Sequence, residues 1–238
     1  MTFTHREIGR DYDSHLSRTL NNGVWDLKHA LELRSIVDEI QDEKNRACIS
    51  TILDDFEEKF YKNINNFRCS VAHNDGNDWN IIVSTDNQFS IGLIDFLDAV
   101  HTCTIFNLAI MLAYAMQSHK KPLRVARAVI KGYHLANPLF HEEISGSLFS
   151  FLFSCLLLFT SVLMIPLLTH FIVVLLYLIR TRLAVSVTSS ARNQRLFPEN
   201  KAYYQVNEKP GWDLLHQLDS LDNKSATALF QDACKVSL

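Results

Sequence analysis

Asp75, Asn80 and Asp95 are the residues whose types and spacing could do chemistry. They stand in two short stretches, "VAHNDGNDWNIIV" from Val71 to Val83 and "IGLIDFLDA" from Ile91 to Ala99. Asp75 and Asn80 make the pattern D-x-x-x-x-N, and Asp95 closes an apolar piece fifteen residues after Asn80. Phosphoryl transfer asks for such a set. It needs a carboxylate beside the attacking hydroxyl and oxygen ligands for a Mg²⁺ that bridges the nucleotide phosphates. Mg²⁺ takes hard oxygen donors and keeps several waters, so one Asn carbonyl and one Asp carboxylate are a typical protein share. Taken singly, the same residues have structural uses. Asp75 and Asn80 suit a turn, Asp95 a strand end, and His73 a hydrogen-bonded core position.

The surrounding elements must bring these side chains together. "CSVAH", "NIIV" and "FSIGLID" are short and rich in branched residues, with the polar turn Ser84 to Gln88 between the last two. That reads as a small β-hairpin with a loop at its entrance. The rest is helical in pattern. Trp25 to Ile40 predicts a helix with a ragged apolar face of Leu27, Ala30, Leu31, Leu33 and Ile36. Ile49, Ile52, Leu53, Phe56 and Phe60 form one stripe of an amphipathic helix. Further helices are expected over Phe106 to Met116 and Pro122 to Ala136, and a short one after Pro210 and Gly211. Pro122 suits a first helical turn.

Composition narrows the class. The chain has 238 residues, 47% hydrophobic and 21% charged, enough for one sizeable core. A net charge of −3 without a stripe of Lys and Arg excludes a nucleic-acid footprint. Five separated cysteines (Cys48, Cys69, Cys103, Cys155 and Cys234) with no C-x-x-C favour reduced thiols in a cytoplasmic protein. The first residues carry no apolar core of a secretory signal. From Leu148 to Ile165 no charge occurs, and "FIVVLLYLI" follows before Arg180. The length matches the roughly 20 residues of a bilayer span. Glu142 and Glu143 precede the run whereas Arg180 and Arg182 follow it. A single span would then place Asp75 away from cytosolic nucleotide. An insert or a core-packed segment is therefore ranked above a membrane anchor across residues 148–179.

"HNDGNDWN" followed by "IGLIDFLDA" resembles the H-G-D-x-x-x-x-N and I-D-F signatures of the aminoglycoside phosphotransferase and choline kinase families, relatives of protein kinases. Within that group "WDLKHALELR", "DAVHTCTIFNLAIMLAYAM", "LIRTRLAVSVTSSA" and "PENKAYYQVNEKPGWDLL" are most similar to the hydroxylysine kinases. The resemblance implies an α+β, mostly helical fold, the C-terminal catalytic lobe of a protein-kinase-like enzyme with a small β-hairpin at the site. Residues 25–238 would form that lobe, interrupted by an apolar insert at about 150–174. Residues 1–24 stay unassigned, and set against the resembled families the chain would lack their nucleotide lobe ahead of Trp25. The implied activity is transfer of the γ-phosphate of GTP or ATP to the hydroxyl of a small amine, by resemblance 5-hydroxylysine. Asp75 would be the catalytic base and Asn80 and Asp95 the Mg²⁺ ligands. His73 would brace the nucleotide-binding loop, and Asp78 and Asp98 would be candidates only for a supporting place behind these residues or for a place on the substrate side. Asn74 and Leu97 occupy positions where these families usually have Gly. Asn is the best non-glycine residue for left-handed backbone, and a branched Leu97 is expected to crowd the metal end. Two other readings are a non-catalytic binding fragment and a membrane-anchored protein.

Overall fold

The computed structural model describes residues 25–85, 90–140, 174–206, 208–221 and 223–234. Within them the protein is α+β and mostly helical. The elements are α1 (Glu43–Lys59), β1 (Cys69–Ala72), β2 (Ile81–Val83), β3 (Ile91–Leu93), β4 (Val100–Cys103), α2 (Thr104–Ala115), α3 (Pro122–Ala136), α4 (Val174–Leu196), α5 (Lys201–Gln205), α6 (Glu208–Asp219) and α7 (Asn223–Cys234). The apolar run lies outside the described residues as far as residue 173.

The helices account for most of the core. α1 starts at Asp42, whose carboxylate accepts from the Asn45 N–H at 2.8 Å, an N-cap that satisfies one of the orphan donors of the first turn. Its stripe of Ile49, Ile52, Leu53 and Phe56 is buried. Phe60, just past its end, stacks on Phe56 and packs at a tilt against Phe67 and Phe106, at centroid distances of 5.6, 4.4 and 5.2 Å. α2 is buried almost all round, as a helix at the centre of a lobe must be. α4 crosses it and also packs on α1 and α6.

Three stretches differ from the sequence expectation. Residues 27–39 are two runs of 3-10 helix rather than one α-helix. Leu27, Ala30 and Leu33 are the buried residues, and a spacing of three is the period at which 3-10 side chains eclipse. That spacing made the apolar face look ragged on an α-helical wheel. Val100–Cys103 is a strand, where the sequence pattern gives only the approach to a helix. It is only four residues long and runs into α2 with no Gly or Pro between. α6 begins two residues before Pro210, in its first turn, where a missing N–H leaves no bond unmade.

The strands form two separate ribbons. β1 pairs antiparallel with β4, and β2 with β3. The β2–β3 ladder matches Ile81 with Leu93 and Val83 with Ile91. Beyond it the Ile94 N–H donates to the Asn80 carbonyl at 3.0 Å. Asn80 and Asp95 therefore sit at the same end of the hairpin. β1 leads directly into His73, and β4 follows the turn that carries Asp95 and Asp98.

Candidate active site

The loop from His73 to Asn80 is folded on its own polar side chains. Asn77 organises it. Its Oδ1 accepts from the N–H groups of Trp79 at 2.8 Å and Asn80 at 3.1 Å, and its Nδ2 donates to Asp75 Oδ2 at 2.8 Å. Asn80 Nδ2 donates to the same Oδ2 at 2.8 Å and to the Asp75 carbonyl at 2.9 Å. The sequence reading missed Asn77, although a second Asn inside D-x-x-x-x-N is the signal of an Asx-type turn. Asp75 and Asn80 are thus in direct contact, and the carboxylate is held in one orientation by two amides.

His73 ties this loop to the hairpin. Its Nε2 meets the Ile94 carbonyl at 2.8 Å, and its Nδ1 accepts from the Asp75 N–H at 3.3 Å. With Nδ1 accepting, Nε2 is the nitrogen that donates to the Ile94 carbonyl. The ring also packs edge-on against Phe96, 4.6 Å between centroids. The residue before Asp95 and the residue after it are therefore both gripped by the histidine. Asp95 itself is exposed and left-handed, at φ 61° and ψ 70°, which an Asp tolerates better than most residues.

Asn74 has φ 65°, so the position does call for left-handed backbone. Leu97 is 93% exposed. Asp78 is exposed. Asp98 is half-buried, and burial followed by the neighbouring Asp75 carboxylate pushes its pKa up, against the opposing pull of Arg182. Asp95 and His73 add smaller effects on the same carboxyl.

Arg182 was not anticipated as a site residue. It projects from α4, is 3% exposed, and bridges three parts of the chain. One terminal nitrogen lies 3.4 Å from Asp75 Oδ1 and 3.0 Å from the Tyr114 hydroxyl. The other donates to the Trp25 carbonyl at 3.3 Å. The guanidinium also lies over the rings of Trp25 and Tyr114, at 5.7 and 5.4 Å. An Arg inside an apolar helical stretch was the available signal, since such a charge is buried only when paired.

The donor set suits Mg²⁺. With Nδ2 turned to Asp75, the carbonyl oxygen of Asn80 faces the other side of the amide, and the Asp95 carboxylate is open to solvent at the same hairpin end. No group of three or more His, Cys, Asp or Glu side chains is placed to hold a metal among the described residues. Mg²⁺ is commonly held by one or two protein oxygens plus phosphates and water, so two donors suffice. A cavity of about 430 Å³ lined by Glu39, Asn45, Arg195, Glu208 and Trp212 shares none of these residues. Within it Arg195 is already paired with Glu39, at 2.5 and 2.6 Å.

Comparison with known proteins gives the class to which this geometry belongs. A profile of the phosphotransferase enzyme family matches residues 13–144, more than half of the sequence. The chain belongs to the phosphotransferase enzyme family, and its α+β architecture is the protein-kinase-like fold of that family. More particularly, it is 24% identical over 221 residues to hydroxylysine kinase of Mus musculus, covering 90% of this chain and 51% of that protein. Hydroxylysine kinase of Bos taurus is 25% identical over 221 residues, with the same coverage of 90% and 51%. That of Xenopus laevis is 24% identical over 215 residues, covering 87% and 50%. The chain thus spans about half the length of the curated relatives it matches.

Proposed function

We propose that the protein transfers the γ-phosphate of a nucleoside triphosphate, GTP or ATP, to the hydroxyl of a small amine, with 5-hydroxylysine the acceptor that its relatives' name suggests. The contact of Asn80 with Asp75, at an end of the hairpin that also carries Asp95, is the observation that carries this reading. Asp75 Oδ2 accepts from two amides, so its lone pairs are used. Oδ1 takes one bond from Arg182, and a carboxylate oxygen can accept two. Oδ1 is therefore the atom that receives the acceptor hydroxyl and draws off its proton. Asn80 and Asp95 would hold Mg²⁺, which when bound neutralises charge on the nucleotide phosphates. His73 keeps the two halves of the site in register through the Ile94 carbonyl. The acceptor is expected to reach the site from the cytoplasm.

The test is turnover of 5-hydroxylysine with Mg·GTP and Mg·ATP, followed by the phosphorylated product. Asp75→Asn should lower the rate by about 10²–10⁴, the usual effect of losing a positioned base, while leaving the circular dichroism spectrum unchanged. Equal turnover in that variant would remove Asp75 from the role. A second reading, a binding module without catalysis, is favoured by the half-length match to the relatives. It predicts nucleotide binding without product and no effect of Asp75→Asn on that binding.

A further inference from the structure

Two thiols face each other across β1 and β4. In the register of that ladder Cys69 lies opposite Cys103. The Thr104 N–H donates to the Arg68 carbonyl at 2.9 Å, so the hydrogen bonds flank the Cys pair instead of joining it. Opposed residues of this kind have Cα atoms about 4.5 Å apart and the closest side chains in an antiparallel ladder. A disulfide bridges Cα separations of about 4.4–6.8 Å, so the strands already stand within range. Both cysteines are free thiols, and the two share a hydrogen bond. They differ in access. Cys69 is exposed, whereas Cys103 is fully buried. The Cys69 thiol beside it, and then burial, push the Cys103 pKa up. An oxidant therefore meets Cys69 first, with Cys103 waiting against it.

We propose that Cys69 and Cys103 are a dithiol–disulfide couple, an oxidative modification site whose oxidant is hydrogen peroxide. The Cys69 sulfur attacks the peroxide. An S–O bond forms, the O–O bond breaks, and water leaves, giving the sulfenic acid. The Cys103 sulfur then attacks the Cys69 sulfur. The S–S bond forms, the S–O bond breaks, and the departing hydroxide takes the thiol proton as water. Two electrons have passed from the thiol pair to the peroxide, and a reducing dithiol returns them by exchange. A buried resolving thiol in contact with an exposed one is what separates this pair from the other cysteines. Burial raises the pKa of Cys48, and that of Cys234 to about 11, and neither has an opposed cysteine in the described residues. The location gives the bond a consequence. β1 runs into His73 and Asp75, and β4 follows Asp95 and Asp98, so a bridge at the far end pins the ribbon that joins the segments carrying these three acids.

The inference does not rest on catalysis, and its test reads the sulfurs directly. The full chain is treated with hydrogen peroxide while folded, its remaining thiols are alkylated in acid, and a digest made without reductant is read by mass spectrometry. The expected result is a Cys69 peptide joined to the Cys103 peptide, separated by dithiothreitol, with the other cysteines alkylated. In Cys103→Ala, Cys69 should be trapped by dimedone as the sulfenic acid. In Cys69→Ser, which changes only an exposed position, Cys103 should stay reduced. Cys69 recovered as sulfinic acid beside an alkylated Cys103 in the unmodified chain would overturn the proposal. So would a Cys103 bonded to any other cysteine.

Discussion

Asn74 sits in the loop at a cost that no neighbour relieves. Its backbone N–H reaches Asn107 Oδ1 at 3.3 Å, but both polar atoms of its own side chain are buried without a hydrogen-bond partner. A buried unsatisfied amide costs about 1–3 kcal/mol, and left-handed backbone adds a smaller amount for Asn. Asn74→Gly removes both and gives back about 0.5–1 kcal/mol through the freer unfolded chain. The variant should therefore be more stable by about 1 kcal/mol, seen as a higher urea midpoint at unchanged slope. A lower midpoint would mean that the amide makes a bond in solution. Arg182 presents the opposite case, a buried charge with many partners. Arg182→Leu strips Asp75, Tyr114 and the Trp25 carbonyl of their shared donor. Removing one member of a buried pair costs about 3–5 kcal/mol. Asp75 keeps some solvent, its side chain being 18% exposed, so a loss of about 2–4 kcal/mol is expected. Urea unfolding of Arg182→Leu measures it, and a loss below about 1 kcal/mol would mark the contact as an ordinary surface pair.

At the scale of elements, legibility followed range. α1 and α3 could be read because their evidence is local: one stripe of apolar residues for α1, a proline at N1 for α3. The hairpin was legible for the same reason, and with it the shared end of Asn80 and Asp95. β4 was not, because its pairing partner β1 lies some thirty residues away and four residues carry little pattern of their own. Arg182 was hidden for a stronger version of that reason: its contact with Asp75 closes 107 residues of chain. The packing of α6 on α4 is another long-range fact. A Cβ on Gly211 would come within 2.9 Å of Val187 Cγ1. Val187 is fully buried, and a helical Val is held near one χ1 rotamer, so it cannot swing aside. Gly211→Ala gains about 1 kcal/mol of helix propensity and meets an overpacking penalty of about 1–3 kcal/mol. A net loss of up to about 2 kcal/mol is expected. Val187→Ala should absorb the added methyl, so the double variant should cost less than the sum of the singles, by about 0.5–3 kcal/mol of coupling. A strictly additive cycle would show that the two helices are not in contact at that point.

The whole molecule turns on α4. It is the one described helix long and apolar enough to cross a membrane, and most of it is buried within the protein. Leu176, Ile179, Leu183 and Val187 are fully enclosed. Arg180 donates to the Leu218 carbonyl and Arg182 to Asp75. Moving α4 into a bilayer would exchange these contacts for lipid. Between Val174 and Ala191 it has eight Val, Leu and Ile residues, each favouring insertion by about 0.3–0.6 kcal/mol. Together they offer no more than about 5 kcal/mol. Two arginines near a helix centre oppose insertion by about 2.5–3.5 kcal/mol each, and Ser and Thr residues add to that. Among the described residues it is this helix that supplies the guanidinium beside Asp75, so a spanning α4 would dismantle the candidate site. α4 is therefore expected to stay in the lobe. Alkaline carbonate extraction of the expressed chain should release it into the supernatant. Recovery in the membrane pellet, with the segment from α1 to α3 protected from added protease, would overturn that expectation. It would place Asp75 across a membrane from the cytosolic nucleotide, and the proposed phosphoryl transfer would fail with it.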